Sequence, residues 1–406
     1  MSTIDRGRRY ENTLVAILFF AWGTVFLDRM SLLYLGPYIA PEFHLTHEQV
    51  GGLASVLAIF WAFSTLAFGA LSDRIGRRVI LIPAVLAFSI LSGLSGLAHT
   101  YQQLLLIRGL MGIAEGPTWS IMTALIEESS EKSRRGRNVG LVVSAAALVG
   151  LALAPILSTQ VAARFSWRWA FVVAGVPGLV MGFLIWKFVK EPAKDRAGAA
   201  TEHAKPSFAG YFSILRYRNI WLSCIAAAGF MCWLFLLNVF APLYITHVAH
   251  QAPTTAGFLL GAGGLGSFFI GFIFPALSDR LGRKPVLLVL AAMSTLTPLV
   301  LLSTSLYEHP WLLAAILFVT NGGQGLASLI MVLVPTESVP AQYAATSIGL
   351  ATLTGEIFGA TAAPALGGAL ADKHGLGITL WMSAAGAVLI FIVTLFLKRA
   401  TVRLQT

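Results

Sequence analysis

Charged residues are scarce in this chain. Asp, Glu, Lys and Arg make up 11% of its 406 residues, while 57% of the residues are hydrophobic. A soluble domain carries about 25% charged residues, because its surface has to stay in contact with water. A surface as apolar as this one must face lipid. The composition therefore excludes an ordinary soluble domain and predicts a membrane protein in contact with the bilayer.

Sequence signatures of enzymes and pumps are also missing. The chain contains no Gly-x-x-x-x-Gly-Lys-Ser/Thr phosphate-binding loop and no Asn-x-Ser/Thr glycosylation site. Its two cysteines, Cys224 and Cys232, are eight residues apart on one predicted helix, about 12 Å in rise, which is too far for a disulfide. Its histidines are scattered over predicted loops, which argues against a metal site. We expect no enzyme activity, no ATP-driven pump, no metal and no cofactor.

Long apolar runs are what the chain has instead. Crossing a bilayer takes roughly 20 apolar residues per helix, and a helix satisfies its own backbone hydrogen bonds, as lipid requires. The sequence therefore predicts an all-α membrane protein. The predicted spans are residues 13–39, 48–71, 79–98, 103–127, 137–162, 167–189, 217–246, 253–278, 285–306, 311–336, 343–371 and 375–398.

Basic residues fall almost entirely on one side of this predicted topology. If the N-terminus is inside, all but five of the 28 Lys and Arg residues lie on that side. Arg164, Arg168 and Lys373 lie opposite, and Arg29 and Arg108 lie within the membrane. The positive-inside rule then places both termini in the cytoplasm, so topology, not nucleic-acid binding, explains the net charge of +10. The first span lacks a cleavage site and is expected to be retained, and the missing glycosylation sites are compatible with a bacterial inner membrane.

A ten-residue string occurs twice. GALSDRIGRR runs from Gly69 to Arg78, and PALSDRLGRK runs from Pro275 to Lys284. Aligning the two parts of the chain also superimposes Gly150 on Gly359. The sequence therefore predicts two parallel six-helix halves, residues 1–189 and 213–406, joined by a polar cytoplasmic linker at residues 190–212.

These motifs resemble those of the Major Facilitator Superfamily, over essentially the whole chain. The resemblance implies twelve helices in two halves that rock around a site near the bilayer midplane. It also implies a cytoplasmic gate, in which Asp73 bonds to a neighbouring helix or to a cation of the other half. The span 4 string RGLMGIAEG, from Arg108 to Gly116, matches a second pattern of the family. The residues that match the gate motif are Gly69, Asp73, Arg74, Gly76, Arg77 and Arg78, with Asp279, Arg280, Gly282 and Arg283 in the second copy.

Five charged residues interrupt the apolar spans. Each costs at least about 2.5 to 3.5 kcal/mol to insert, so such residues mark a transport pathway. Three are acids and two are bases, which leaves one acid without a basic partner, and burial favours its neutral form. At least one of these acids is therefore expected to carry a proton. The five residues are Asp28, Arg29, Arg108, Glu115 and Glu356.

The string from Phe26 to Val56 is similar to the start of the anion:cation symporters, the branch of proton-linked organic-acid carriers. By position, the resemblance implies that Arg29 binds the substrate carboxylate, that Asp28 and Glu115 take the proton, and that Arg108 tunes Glu115. Arg108, Gly112, Glu115 and Trp119 recur on one helix face, which we expect to line the cavity.

Glu356 departs from the branch, which often has Asn in span 11. The second-half spans offer no Lys or Arg within the membrane to pair with it, so we expect Glu356 to titrate and to contact substrate. The alternative is a structural acid paired across the cavity. Helix packing is an open alternative for the remaining predicted substrate ligands, which are Tyr34, Trp119, Trp233, Asn238, Asn321 and Gln324.

The predicted function is proton-coupled uptake of a small organic anion, such as a carboxylate or a sugar acid, by a monomeric carrier. A proton-coupled exporter (antiporter) of a small or amphiphilic molecule is the first alternative, which the three acids in the membrane favour if the cargo is cationic. A transporter-like sensor is the second, although a sensor would be expected to carry a larger cytoplasmic extension.

Overall fold

The computed structural model describes residues 3–131, 133–191, 214–340 and 343–398. Helices account for the regular structure of these residues. We number the twelve long helices, and the short helices Gly36–Glu42 and Thr304–Glu308 stay unnumbered. The twelve are α1 (Thr3–Tyr34), α2 (His47–Ile75), α3 (Arg77–Ser95), α4 (Tyr101–Ser129), α5 (Arg135–Arg164), α6 (Trp167–Phe188), α7 (Arg218–His247), α8 (Pro253–Leu281), α9 (Arg283–Leu301), α10 (Pro310–Glu337), α11 (344–374) and α12 (Gly377–Leu395).

The twelve predicted spans coincide with these helices, so the predicted all-α fold is confirmed. Ten of the helices are long and apolar enough to cross a membrane by themselves. The other two, α4 and α11, carry Arg108, Glu115 and Glu356. The predicted linker lies almost wholly outside the described residues, so its structure stays a prediction.

The internal repeat is visible in the backbone. In α5, residues Ala146–Leu153 form a π-helix, and in α11 the residues at the matching positions, Gly355–Ala362, do the same. A π-helical segment is rare and often lies at a functional site. Each of these helices packs against a helix of the other half: α5 against α8 at Gly257, and α11 against α2 at Gly51. A side chain at either glycine would collide with the facing backbone, so glycine permits both contacts.

The two copies of the duplicated string form the turns α2–α3 and α8–α9. Gly76 and Gly282 have φ angles of 115° and 91°, which a residue with a side chain adopts only with strain. Both copies make the same network: Arg77 pairs with Asp73 at 2.5 Å and with Glu128 at 3.0 Å. Arg283 repeats it in the second half with Asp279 at 2.5 Å and Glu337 at 2.6 Å. We call the end of the molecule that holds these turns the hinge end.

The gate contact that was predicted for Asp73 is not made in this conformation. Asp73 bonds to Arg77 of its own half, and its side chain is about half exposed. Arg74 and Arg280 are also exposed. Glu191, which follows α6, accepts hydrogen bonds from the backbone N–H groups of Arg77 and Arg78. The hinge network therefore closes within each half.

Polar contacts between the halves lie elsewhere. At the opposite end of the molecule, the far end, the carboxylate of Asp372 accepts hydrogen bonds from the backbone N–H groups of His47 and Glu48 and lies 2.7 Å from the His47 ring. Ser55 donates to the backbone oxygen of Thr361. Among the described residues, the side-chain hydrogen bonds and ion pairs that join the halves lie at the far end or midway along the helices. This is a conformation closed at the far end.

We expect Asp372→Asn to weaken far-end closure. Asp372 caps the N-terminus of α2 from the other half, and loss of a charged cap costs about 1 to 2 kcal/mol, which changes the closed-to-open ratio about tenfold. Spin labels at the exposed positions His44 and His374 should report a larger population of long distances.

Glu42→Gln is the matched control. Glu42 is another far-end carboxylate, but its partners Trp167 and Arg168 belong to its own half. Burial disfavours its charge, yet these hydrogen bonds hold the pKa of Glu42 below its ordinary value. Its loss should leave the label distances unchanged. An equal effect of both substitutions would contradict a gate role for Asp372.

Candidate functional site

The five predicted buried charges lie on three helices. Asp28 and Arg29 are on α1, Arg108 and Glu115 are on α4, and Glu356 is in the π-helical part of α11. None of them is more than 3% exposed. Burial of so many ionisable groups is costly in a membrane protein and marks a functional centre.

Arg29 and Glu356 join the two halves at this centre. The Arg29 Nη2 atom donates a hydrogen bond to Glu356 Oε2 at 3.0 Å, and both side chains are buried. A buried charge-assisted hydrogen bond is much stronger than an exposed ion pair, because it is not screened by water. One of the two roles considered for Glu356 was that of an acid paired across the cavity. This pairing is present in this conformation, and the partner comes from the first half.

Two aromatic rings flank the Arg29 guanidinium. Its Cζ atom lies 5.2 Å from the centroid of the Trp61 ring and 5.1 Å from that of Phe235. Such cation–π contacts strengthen when water is excluded. Neither Trp61 nor Phe235 was among the predicted site residues. No local signal distinguishes them in a chain with 26 Phe and 10 Trp residues.

Arg108 makes no hydrogen bond to Glu115, and the predicted tuning of Glu115 by Arg108 stays a prediction. Its Nη2 atom donates to the backbone oxygen of Arg29 at 3.1 Å. Both carboxyl oxygens of Glu115 are buried and make no hydrogen bond in the structure. Seven residues of helix separate the two side chains by about 10 Å in rise, which is too far for direct contact without favourable rotamers. Arg108 therefore bonds to α1, and Glu115 is a buried acid without a hydrogen-bond partner.

Asp28 faces away from Arg29 although the two residues are adjacent. One of its carboxyl oxygens accepts a hydrogen bond from Ser92 of α3, and the other has no partner. Ser92 also contacts the backbone oxygen of Phe171 in α6. Asp28 therefore looks into the first half, whereas Arg29 looks toward the second half.

Glycines position α4 against α2. A Cβ atom on Gly112 or Gly116 would collide with the backbone of α2 at Leu57 or Trp61. Gly112 was predicted to share a cavity-lining face with Glu115, but the structure places it in this helix contact. The glycines of the string from Arg108 to Gly116 thus bring α4 and α2 together. Arg108 and Glu115 lie on the side of α4 that faces α1.

A second inter-half bond lies one to two turns farther along α1. The Tyr34 hydroxyl donates to Asn238 Oδ1 at 2.6 Å, and Asn238 Nδ2 donates to the Leu234 backbone oxygen. Asn238 also lines a small cavity between α5, α7, α8, α9 and α10. Its walls are mostly apolar, and its polar members are Asn238, Thr297 and Asn321.

Asn321 lies at a break in α10. The helix stops at Thr320 and resumes at Gly323, and Asn321 Oδ1 accepts the Gly323 backbone N–H. Broken helices at mid-membrane depth commonly form transport sites. Gln324 instead packs against Gly271 of α8 and is not part of the cavity lining.

The two predicted tryptophan ligands differ. Trp233 is fully buried, and its Nε1 atom donates to the Ser294 backbone oxygen within the second half. In this conformation Trp233 therefore packs within the second half, and its role as a ligand stays a prediction. Trp119 is partly exposed and lies with its ring centroid 4.9 Å from that of Trp22 on α1.

Comparison with known proteins agrees with this architecture. Residues 18–362 match the model of the Major Facilitator Superfamily. The chain belongs to that superfamily. Membership of that superfamily makes it a multi-pass membrane protein.

Two relatives of this superfamily member are named for organic acids. A probable 4-methylmuconolactone transporter of Cupriavidus pinatubonensis is 31% identical over 277 residues, which cover 66% of this chain and 63% of the relative. A cis,cis-muconate transport protein of Acinetobacter baylyi is 28% identical over 414 residues, which cover 98% of this chain and 97% of the relative. The first alignment thus spans less than two thirds of that relative's length.

A solved structure shares the fold. A bacterial homologue of the human lysosomal transporter Spinster, in an inward-facing and unoccupied conformation, superimposes with a TM-score of 0.73. The sequence identity is 18%, and the match covers 95% of this chain and 96% of that protein. At this identity the likeness concerns the fold alone.

Proposed function

We propose that this transporter takes up a small organic acid together with protons, by alternating access of a central site. The observation that supports this most is the Arg29 guanidinium, buried between two aromatic rings at the junction of the halves. A guanidinium in this position binds a carboxylate with two parallel hydrogen bonds.

Proton coupling is assigned to Glu115, and Asp28 is proposed as the second acid that takes part in it. Glu115 is buried without a hydrogen-bond partner, and such a carboxyl is most stable when neutral. Opening toward water or approach of a free arginine would release the proton. Competition for Arg29 and Arg108 then links the proton to the substrate.

The body of the substrate is proposed to be largely apolar. Five of the ten residues that line the small cavity are leucines, and two of its three polar members already make side-chain hydrogen bonds: Asn238 with Tyr34, and Thr297 with Thr320. Few donors remain for the hydroxyl groups of a sugar acid. The muconate-type relatives fit this choice by name.

We assign the hinge end to the cytoplasm, so the present conformation is closed on the outer side. A proton-coupled exporter of a cationic molecule is less favoured, because Glu356 is already neutralised by Arg29.

Proteoliposomes test the proposal. With the outside made acidic, the protein should concentrate cis,cis-muconate inside, and reversal of the proton gradient should drive muconate out. Gluconate, as a hydroxylated acid, should compete weakly. Uptake that ignores the sign of the gradient contradicts proton symport. If an acidic interior drives accumulation inside, the carrier is an antiporter.

A further inference from the structure

Glu356 occupies the position on Arg29 that a substrate carboxylate would need. It contributes a carboxylate to the guanidinium from the second half, and its Oε2 atom accepts from Nη2 only. Arg29 Nε is buried without an acceptor. The rings of Trp61 and Phe235 lie over the guanidinium, so access is restricted to its edge. A second carboxylate at this edge therefore competes with Glu356.

The backbone holds Glu356 in this position. Its neighbours Gly355 and Gly359 lie against α7, where a Cβ atom on Gly359 would collide with backbone atoms of Ala228 and Cys232. The π-helical turn and these close contacts fix the side from which Glu356 leaves α11. Its contact with Arg29 is a consequence of how the halves are joined.

Displacement of Glu356 from Arg29 would leave a buried carboxylate without a counter-charge. Such a charge is costly in a site of low dielectric constant. Among the charged groups of α4, Glu115 would repel it, and Arg108 is bonded to the Arg29 backbone. Asp28 faces Ser92. Two other helices, α2 and α7, pack against the part of α11 that holds Glu356. Their charged or titratable residues are His47, Glu48, Asp73 and Arg74 on α2, and Arg218, Cys224, Cys232, Tyr244 and His247 on α7. The far end of α11 itself carries Asp372, Lys373 and His374.

We propose that Glu356 is a built-in competitor of the substrate: it neutralises Arg29 in the empty carrier, and the arriving carboxylate displaces it while Glu356 takes up one proton from water. The balance is simple, because one ion pair is exchanged for another and one proton adds to one carboxylate. This inference rests on the proposed function, since it requires a carboxylate substrate.

The arrangement would let the empty carrier change conformation without an unpaired charge. In the empty state the Arg29–Glu356 pair is neutral, and in the loaded state the pair of Arg29 with one substrate carboxylate and the protonated Glu356 are neutral as well. Each transport cycle would then carry one proton at Glu356 in addition to the proton at the Glu115 site.

Calorimetric titration of the purified protein with cis,cis-muconate tests this inference. Glu356→Gln removes the competitor, so muconate should bind about tenfold more tightly or better near neutral pH, the size expected when a charge-assisted hydrogen bond no longer has to be broken. Titrations in buffers with different heats of ionisation count protons, and the variant should take up one proton fewer than the parent.

The sign of the affinity change separates this role from a structural one. If Glu356 only positions Arg29, the Gln variant binds muconate more weakly and the proton count does not change; either result overturns the inference. Glu356→Asp, whose shorter carboxylate competes less well, should show an intermediate affinity and serves if the Gln variant is unstable. Glu308→Gln, at an exposed position of the second half, should match the parent. If neither muconate nor gluconate binds the parent or the variants, the proposed function itself is overturned, and this inference with it.

Discussion

Glu115→Gln should lower concentrative uptake by the share that the Glu115 proton drives, while leaving substrate exchange intact. The substitution fixes the neutral form that the isolated buried carboxyl is expected to adopt. Substrate would still bind and cross the membrane, but the proton would no longer be released. With a gradient of two pH units, each coupled proton supports about 100-fold accumulation, since one unit corresponds to about 1.4 kcal/mol. The variant should lose the share of muconate accumulation that the proton on Glu115 drives in the parent.

The measurement compares two assays on the same proteoliposomes. Counterflow of labelled muconate against unlabelled muconate reports exchange, and uptake under an imposed gradient reports coupling. Glu308→Gln provides the control, because it removes an exposed acid outside the centre. A Glu115→Gln variant that accumulates muconate as steeply as the parent would show that coupling lies elsewhere. Asp28, which retains one unbonded oxygen, would then be the next residue to examine.

The fold was predictable because lipid leaves few choices. Apolar runs of sufficient length must be helices, and a duplicated charged turn fixes how many there are in each half. The five buried charges were predictable for the same reason, since a charge within an apolar run is visible in the sequence. Even the repeat register was readable, as the matched π-helical segments around Gly150 and Gly359 show.

The partners of those charges were not predictable. Arg29 and Glu356 are 327 residues apart in the chain, and the absence of basic residues from the second-half spans pointed to an unpaired Glu356. The actual partner comes from the other half, which only the packing of the halves reveals. Helix periodicity predicted that Arg108 and Glu115 share one helix face, but it does not give the hydrogen-bond partner of either side chain. Arg108 instead satisfies a backbone oxygen of α1.

Arg29→Lys should lose most substrate binding although it keeps the positive charge. A lysine ammonium is a compact, strongly hydrated charge and lacks the planar fork that bonds to both oxygens of a carboxylate. It also fits less well between the Trp61 and Phe235 rings, which lie close to 5 Å from the guanidinium carbon. Loss of one charge-assisted hydrogen bond is worth about 1.5 to 3 kcal/mol, so the Kd for muconate should rise about 10- to 100-fold. Arg164→Lys, the same change at an exposed site, should have no effect.

A double variant separates two reasons for that loss. If Arg29→Lys binds poorly because Glu356 holds the lysine more firmly than the substrate does, then adding Glu356→Gln should restore binding to the parent level. If the planar fork itself is required, the double variant should remain well below Glu356→Gln alone. We expect the second result, because removal of the competitor does not supply the missing second hydrogen bond. An unchanged Kd in the single Arg29→Lys variant would mean that the substrate carboxylate binds at another site, and the buried guanidinium would then serve only to pair with Glu356.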